Sequence, residues 1–260
     1  NSGGGAMPQV GGTIVNCTFV GNSSAAGAGV YLSSPSSSSN LTLNSCIIVS
    51  NITSGGSLDY RGILNFCCTM PQPTNGVGNI TNLPVFVDYA NGNFRLAADS
   101  PCINAGNNPY LGASVDLDAN QRISGGTVDI GAYEFQSPAS ALSYAWAQRY
   151  GLSTDGLADF SDTDGDGHNN WQEWRADSVP TNAASCLQLL TPVSSPYGWE
   201  LTWPSSASRR YFLERATNNA GSLHFHTLAT NIAGEVVTTT YTDTSVLGAG
   251  PYFYRVGVGD

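Results

Sequence analysis

Lysine is absent from the sequence: all nine basic residues are arginines, and only 11% of the 260 residues are charged. Coiled coils and long helical bundles are rich in charged helix formers, so this composition excludes them. The 19 acidic residues leave a formal net charge of −10, which repels a phosphate backbone and excludes nucleic acid as a partner. No apolar run approaches the ~20 residues of a membrane-spanning helix, so we expect no membrane insertion.

Cysteine is sparse and irregularly spaced. The six cysteines include no Cys-x-x-Cys pair, which disfavours a structural zinc site. An acidic, lysine-free chain rich in Ser, Thr, Asn and Gly is typical of secreted proteins, so we expect an extracellular or cell-surface location. The chain begins at Asn1 without an initiator Met, and we expect a processed chain or a piece of a larger one.

An internal repeat predicts the architecture of the first half. Short β-branched and aromatic runs predict short strands up to about residue 135. Residues 16–22 (NCTFVGN) align with residues 45–51 (SCIIVSN), and residues 65–68 resemble a third copy. Such a repeat favours a solenoid, here a parallel β-helix, over the alternative of an ordinary β-sandwich. A β-helix predicts three stacked pairs: Cys17 over Cys46, Phe19 over Ile48, and Asn22 over Asn51.

The sequence pattern changes after residue 136. Apolar residues at helical spacing predict a short helix from Leu142 to Tyr150 and a second one from Trp171 to Ala176. From about Leu187, alternating residues separated by turns predict an antiparallel β-sandwich. We therefore expect a mainly β protein with three domains: β-helix coils and cap at 1–136, a helical connector at 137–186, and a β-sandwich at 187–260.

Residues 162–173 (DTDGDGHNNWQE) carry the strongest chemical motif. Oxygen-bearing side chains occupy positions one, three, five, nine and twelve, and Gly167 occupies position six, as in an EF-hand calcium loop. The candidate Ca²⁺ ligands are Asp162, Asp164, Asp166, the backbone carbonyl of His168, Asn170 and Glu173. A solvated acidic linker is the alternative. Position eight is Asn169 rather than an aliphatic residue, so we expect a lone structural loop, which resembles those of dockerin and thrombospondin type 3 repeats.

Two strings in the first half resemble a known family. They are Ser-Pro-Cys-Ile-Asn-Ala-Gly at 100–106 and Asp-Ile-Gly-Ala-Tyr-Glu-Phe at 129–135. Both are similar to the end of the choice-of-anchor Q family of secreted bacterial proteins. The resemblance covers about the first 135 residues and implies a right-handed parallel β-helix, with no established reaction. The rest of the chain resembles a calcium loop followed by a fibronectin type III-like domain.

Charged residues near the end of the predicted coils have two interpretations. Asp116, Asp118, Arg122, Asp129 and Glu134 resemble an active-site cluster. The open backbone edge at the end of a β-helix also needs buried carboxylate–arginine pairs. We favour capping over catalysis.

The cysteines and several asparagines also allow two interpretations. We expect a disulfide between Cys68 and Cys102, stacked thiols at Cys17 and Cys46, and a free thiol at Cys186. The sequons are glycan acceptors in a eukaryotic secreted protein, and ladder or turn residues in a bacterial one. They begin at Asn16, Asn22, Asn40, Asn51 and Asn79.

These features favour a non-catalytic extracellular structural or adhesive protein with a calcium-rigidified joint between β domains. The first coil is expected to expose a strand edge, so we expect self-association into a head-to-tail filament, with surface polysaccharide as a further partner. One alternative is a polysaccharide lyase or glycoside hydrolase, for which the coils offer only the Asp59–Arg61 pair. Another is a carbohydrate-binding module that stacks sugars on Tyr31, Tyr60 or Tyr110.

Overall fold

The computed structural model describes residues 5–6, 11–25, 27–31, 41–54, 60–219, 222–246 and 250–259. The chain divides into two compact units, Asn1–Asp159 and Phe160–Asp260, called unit 1 and unit 2 below. This division falls inside the predicted connector. The mainly β class is confirmed, with 34% of residues in strands, 8% in helices and several parallel sheets. Asn40 and Asp59 lie outside the described residues.

Unit 1 is built from short strands and a few helical turns. Its strands are β1 (Gly12–Val15), β2 (Thr18–Val20), β3 (Ser23–Ser24), β4 (Leu41–Asn44), β5 (Ile47–Val49), β6 (Ile52–Thr53), β7 (Ile63–Asn65), β8 (Cys68–Thr69), β9 (Phe86–Asp88) and β10 (Asn93–Leu96). Its helical segments are the 3₁₀ turns Tyr89–Asn91 and Asn108–Tyr110, and helix α1 (Tyr144–Arg149). The helix predicted at 142–150 is thus present.

Successive repeats contribute parallel strands to three sheets. The strand orders are β1-β4-β7, β2-β5-β8 and β3-β6. Phe19 in β2 pairs with Ile48 in β5. Beside the third sheet, Asn51 Oδ1 accepts hydrogen bonds from the backbone N–H of Asn22 at 3.1 Å and from its side chain at 2.9 Å. Both of these predicted stacking pairs are confirmed.

The cysteines lie at a recurring corner between the first two sheets. Asn16, Ser45 and Phe66 each adopt a left-handed conformation, with φ of 48°, 50° and 51°, and a cysteine follows each of them. Cys46 packs with Cys17 and with the cysteine after Phe66, and the Cys46 backbone N–H donates to the sulfur of the latter at 3.4 Å. The predicted stack of Cys17 on Cys46 is confirmed, and residues 65–68 add a third level.

A hydrophobic core lies among the parallel sheets. Leu43, Ile48 and Leu64 are fully buried and pack with Val30 and Tyr60. Inward-facing apolar side chains of successive repeats therefore stack on one another, which buries them without long strands. Tyr60 is only 7% exposed, so its interpretation as a sugar-stacking platform is wrong.

All six cysteines are free thiols. The expected disulfide between Cys68 and Cys102 is absent, although the two thiols are buried in the same hydrophobic core. Burial raises the pKa of the Cys102 thiol, and the Cys68 neighbour raises it further. The segment after Cys102 is fixed by backbone contacts instead, since the N–H of Ile130 donates to the Cys102 carbonyl at 3.0 Å.

Unit 2 contains one helix and two antiparallel sheets among its described residues. Its elements are α2 (Asn170–Ala176), β11 (Val193–Ser195), β12 (Gly198–Ser205), β13 (Arg210–Asn219), β14 (Ser222–Leu223), β15 (His226–Ala233), β16 (Val237–Asp243) and β17 (Tyr252–Val258). One sheet has the order β11-β12-β16, and in the other β13 pairs with β14, β15 and β17.

Side chains from both sheets of unit 2 share one core. Leu201 and Trp203 in β12 pack with Tyr211 and Leu213 in β13, and all four are fully buried. The rings of Trp203 and Tyr211 meet edge to face, with centroids 5.8 Å apart. Among the described residues, no helix combines the length and apolar character needed to cross a bilayer.

Candidate metal centre

The predicted calcium loop, residues 162–173, lies in unit 2 and leads into helix α2. Gly165 and Gly167 have φ of 81° and 94°, a conformation that glycine adopts without strain. Asn169 and Gln172 form a capping box, because each side chain accepts a hydrogen bond from the other residue's backbone N–H at 2.9 Å. This cap starts the helix so that Glu173 falls in its first turn.

Backbone N–H groups orient the three aspartates of the loop. Asp162 accepts hydrogen bonds from both loop glycines, at 2.8 and 2.9 Å. Asp164 accepts from the N–H of Asp166 at 3.2 Å, and Asp166 from the N–H of His168 at 2.7 Å. As a result, one oxygen each of Asp162, Asp164 and Asp166 lies within 4.8 Å of the other two.

Three carboxylate oxygens at this site are buried without a hydrogen-bond partner in the described part of the chain: Asp164 Oδ2, Asp166 Oδ2 and Glu173 Oε2. Glu173 is 1% exposed, and the Asp166 side chain 3%. Burial, together with the charges of Asp164 and Asp166, raises the pKa of Glu173 to about 7. Buried, unpaired carboxylate oxygens are unfavourable, and a hard cation is the partner that fits an all-oxygen set.

The side chains of the other two predicted ligand residues also contact the loop. Asn170 is fully buried, and its Oδ1 accepts a hydrogen bond from the Thr163 hydroxyl at 2.9 Å. His168 places its imidazole Nδ1 3.3 Å from Asp166 Oδ1. The three aspartates thus come together, and the charge of each acts on the buried Glu173. The donor set fits calcium.

Cys186 is a neighbour of this site that the sequence does not indicate. Its thiol lies beside Asp166, and burial together with the nearby carboxylates raises its pKa. One ligand atom each of Asp166, His168 and Cys186 lies within 4.8 Å of the others. Cys186 follows the loop at no spacing typical of metal ligands, so only the folded chain reveals this contact.

The acidic cluster of unit 1 is arranged differently. Asp129 accepts hydrogen bonds from the backbone N–H groups of Asn104 at 2.7 Å and Phe135 at 2.6 Å. Glu134 accepts two more backbone hydrogen bonds, at 3.1 and 3.0 Å. Asp116 in turn accepts one from the N–H of Glu134 at 3.0 Å. These carboxylates satisfy backbone donors, as the capping interpretation expects. The expected carboxylate–arginine pair is not formed, because Arg122 Nε and Nη1 have no hydrogen-bond partner in the described part of the chain.

Burial shifts the ionisation of this cap. It raises the pKa of Asp129 to about 7, and burial with the charge of Asp129 raises that of Glu134 to about 8. Arg122 is 5% exposed. Burial lowers its pKa, and this effect outweighs the charges of the carboxylates, which raise it. The Asp118 carboxylate does not join this buried group, since it pairs with Arg95 at 2.5 Å on the surface.

The described sequon asparagines make structural hydrogen bonds. Asn51 Nδ2 donates to the Phe19 carbonyl at 3.0 Å, in addition to its bonds with Asn22. Asn79 Oδ1 accepts from the N–H of Cys67 at 2.9 Å, while its Nδ2 donates to Leu64 at 2.7 Å. Amides used in this way fit the ladder interpretation.

The remaining tyrosines proposed as sugar platforms have protein neighbours. The Arg61 guanidinium lies over the Tyr31 ring, 5.4 Å from its centroid. The Tyr110 ring lies beside that of Phe66, at 6.1 Å.

Comparison with known proteins gave no match to a protein-family model, to a curated protein or to a solved structure.

Proposed function

We propose that this protein is a non-catalytic extracellular structural or adhesive protein whose unit 2 is stabilised by calcium in loop 162–173. The proposal rests on three buried carboxylate oxygens, of Asp164, Asp166 and Glu173, that lack partners within the described ranges. They occupy ligand positions of a loop whose spacing suits a cation with about six to eight oxygen ligands.

Helix α2 connects the proposed calcium loop to the strands of unit 2. The residues that would hold calcium are Asp162, Asp164, Asp166, His168 through its carbonyl, Asn170 and Glu173. Bound calcium supplies positive charge that offsets the repulsion among the carboxylates. Helix α2, which carries Glu173, is anchored by Arg209, which donates to the Trp174 carbonyl at 2.7 Å. Asp177 adds a contact by accepting a hydrogen bond from the Ser206 hydroxyl at 2.6 Å.

The proposed architecture is a capped parallel β-helix in unit 1 and a fibronectin type III-like β-sandwich in unit 2. The parallel registers and the recurring left-handed corners support the β-helix. The two antiparallel sheets around Trp203 and Tyr211 support the sandwich. The resemblance to choice-of-anchor Q proteins adds to this proposal. Domains of these two kinds suit a structural role. The cap carboxylates accept hydrogen bonds from backbone groups, so they are not available to a substrate.

The first repeat supports the proposed self-association. Among the strands described, β1, β2 and β3 each pair on one side only. An unpaired strand edge presents backbone groups to which another chain can add. A head-to-tail contact of this kind uses two different surfaces and builds open filaments. Surface polysaccharide is the second partner class of the proposal.

Electron microscopy of the purified protein tests this function. In calcium we expect filaments or oligomers, which chelation shortens or dissociates because unit 2 loosens. Glu173→Gln should behave like the chelated protein, whereas Glu235→Gln, an equal charge change at an exposed strand-to-strand turn, should not. Isolated monomers in both conditions would overturn the filament. Turnover of a uronan or another polysaccharide would overturn the non-catalytic assignment.

A further inference from the structure

A mixed set of ligand types lies on one side of the calcium loop. Asp166 contributes a carboxylate oxygen, His168 an imidazole nitrogen and Cys186 a sulfur, and the three atoms lie within 4.8 Å of one another. The three loop aspartates form another, all-oxygen group. Asp166 belongs to both groups, so its two oxygens can serve different partners.

We propose that Asp166, His168 and Cys186 form a second cation site, beside the calcium loop, that takes a thiophilic divalent cation such as Zn²⁺. Nothing in the proposed calcium function requires this site, because calcium takes oxygen ligands and leaves sulfur and imidazole unused. A Cys, a His and a carboxylate are together the ligand types of zinc sites with three protein ligands and one open position.

The distances suit such a site. Ligands about 2.0–2.3 Å from a tetrahedral zinc ion are about 3.3–3.8 Å from each other. His168 Nδ1 and Asp166 Oδ1 are already 3.3 Å apart. Cys186 is partly buried, and its sulfur lies within 4.8 Å of the other two ligand atoms, so a small movement of the side chain would bring it to ligand distance.

The two oxygens of Asp166 are in different environments. Oδ1 accepts the His168 N–H at 2.7 Å and faces its imidazole, whereas Oδ2 is buried and has no partner among the residues described. Since the Asp166 side chain is only 3% exposed, neither oxygen turns to water. Asp166 can therefore bridge, with Oδ2 toward the calcium loop and Oδ1 toward the second cation.

The site has an approach from solvent and an attractive charge. The His168 side chain is 35% exposed. A cleft of about 270 Å³ is lined by His168, Trp171, Glu173 and by Leu187, the neighbour of Cys186. The charges of Asp164 and Glu173 act on Cys186, so a divalent cation is attracted there. Binding converts the Cys186 thiol to a thiolate and releases one proton to solvent.

Cobalt titration tests the proposal, because Co²⁺ substitutes for zinc and reports a thiolate ligand by a sulfur-to-metal charge-transfer absorption. The full chain is kept reduced and in excess calcium, so that the loop is not available to cobalt. We expect one Co²⁺ per chain, with the charge-transfer band, and its loss when Zn²⁺ is added. Cys186→Ser should abolish the band although five cysteines remain, and His168→Gln should weaken binding about 10-fold or more.

His226→Gln, a histidine change on β15, is the matched control and should bind cobalt like the wild type. A band that persists in Cys186→Ser, or cobalt binding without any charge-transfer band, would overturn the second site. Calcium titration of the same proteins is a separate readout, so failure of the calcium function is distinguishable from failure of this site.

Discussion

Buried carboxylate oxygens have different partners in the two units. In unit 1, both oxygens of Asp129 and of Glu134 accept backbone N–H groups. In unit 2, Glu173 is equally buried, yet its Oε2 has no partner among the described residues. Backbone groups thus satisfy both oxygens of each carboxylate in the first arrangement, whereas the second leaves a buried oxygen that a cation could bind. This difference separates a structural cap from a candidate metal site of similar composition.

The cap makes the stability of unit 1 depend on pH. The pKa of Asp129 rises from 3.8 to about 7 and that of Glu134 from 4.5 to about 8 on folding. The folded chain thus holds protons that the unfolded chain has released. We expect the free energy of unfolding to fall between about pH 4 and pH 8, by up to ~1.4 kcal/mol per pH unit for each proton. Urea unfolding at several pH values measures this.

Two substitutions isolate the cap in that experiment. Glu134→Gln removes one of the titrating groups and should flatten the slope. Asp118→Asn is the control, because Asp118 pairs with Arg95 at the surface rather than joining the buried group, and its slope should match the wild type. A stability that rises with pH over this range would contradict the account of the cap.

At the scale of elements, the turn that precedes Val77 is pressed against strand β7. The N–H of Phe66 donates to the Val77 carbonyl at 2.8 Å, and the N–H of Val77 donates to Asn65 Oδ1 at 3.2 Å. A Cβ atom on Gly76 would lie 1.7 Å from the Leu64 carbonyl oxygen. Only glycine allows this approach, which adds the turn to the end of the parallel sheet.

Substitution of Gly76 by alanine should therefore be severe. Gly76 and Gly92 have nearly equal φ, 80° and 75°, but a Cβ on Gly92 would meet nothing within 4 Å. Gly92→Ala should cost about 1–2 kcal/mol through its backbone conformation alone. Gly76→Ala should cost about 3 kcal/mol or more, because backbone must also move. Urea unfolding compares them, and equal losses would contradict the described packing of the turn.

Sequence alone predicts those elements whose contacts repeat or are local. The pairs Phe19–Ile48 and Asn22–Asn51 follow from the repeat, because parallel strands from successive repeats keep like residues in register. The aspartates of the calcium loop follow from their spacing within one turn of chain. The burial of Tyr60 could not be predicted, since its neighbours come from other repeats.

Contacts between distant segments also could not be predicted from the sequence. Cys186 meets Asp166 only because the chain returns to the loop after α2. Cys68 and Cys102 lie together, as their expected pairing requires, but as thiols rather than as a disulfide. Asp118 is near Asp116 in sequence, yet it turns to Arg95. In each case the partner is decided by tertiary packing.

At the scale of the whole molecule, the proposed function depends on calcium in unit 2. The loop, helix α2 and the antiparallel strands all belong to this unit, and α2 contacts the strands through Arg209 and Asp177. An ion bound by both the aspartates and Glu173 would tie the loop to the helix. Calcium should therefore stabilise the unit by linkage, by about 4 kcal/mol at a free concentration 1,000 times the Kd.

Thermal unfolding followed by tryptophan fluorescence, in calcium and in chelator, tests this claim most directly. Four of the five tryptophans, all except Trp146, lie in unit 2, so the signal reports mainly that unit. We expect calcium to raise the unfolding midpoint of the wild type and of Glu235→Gln, and to raise that of Glu173→Gln much less. A wild-type midpoint that calcium leaves unchanged, or an equal rise in Glu173→Gln, would contradict the account.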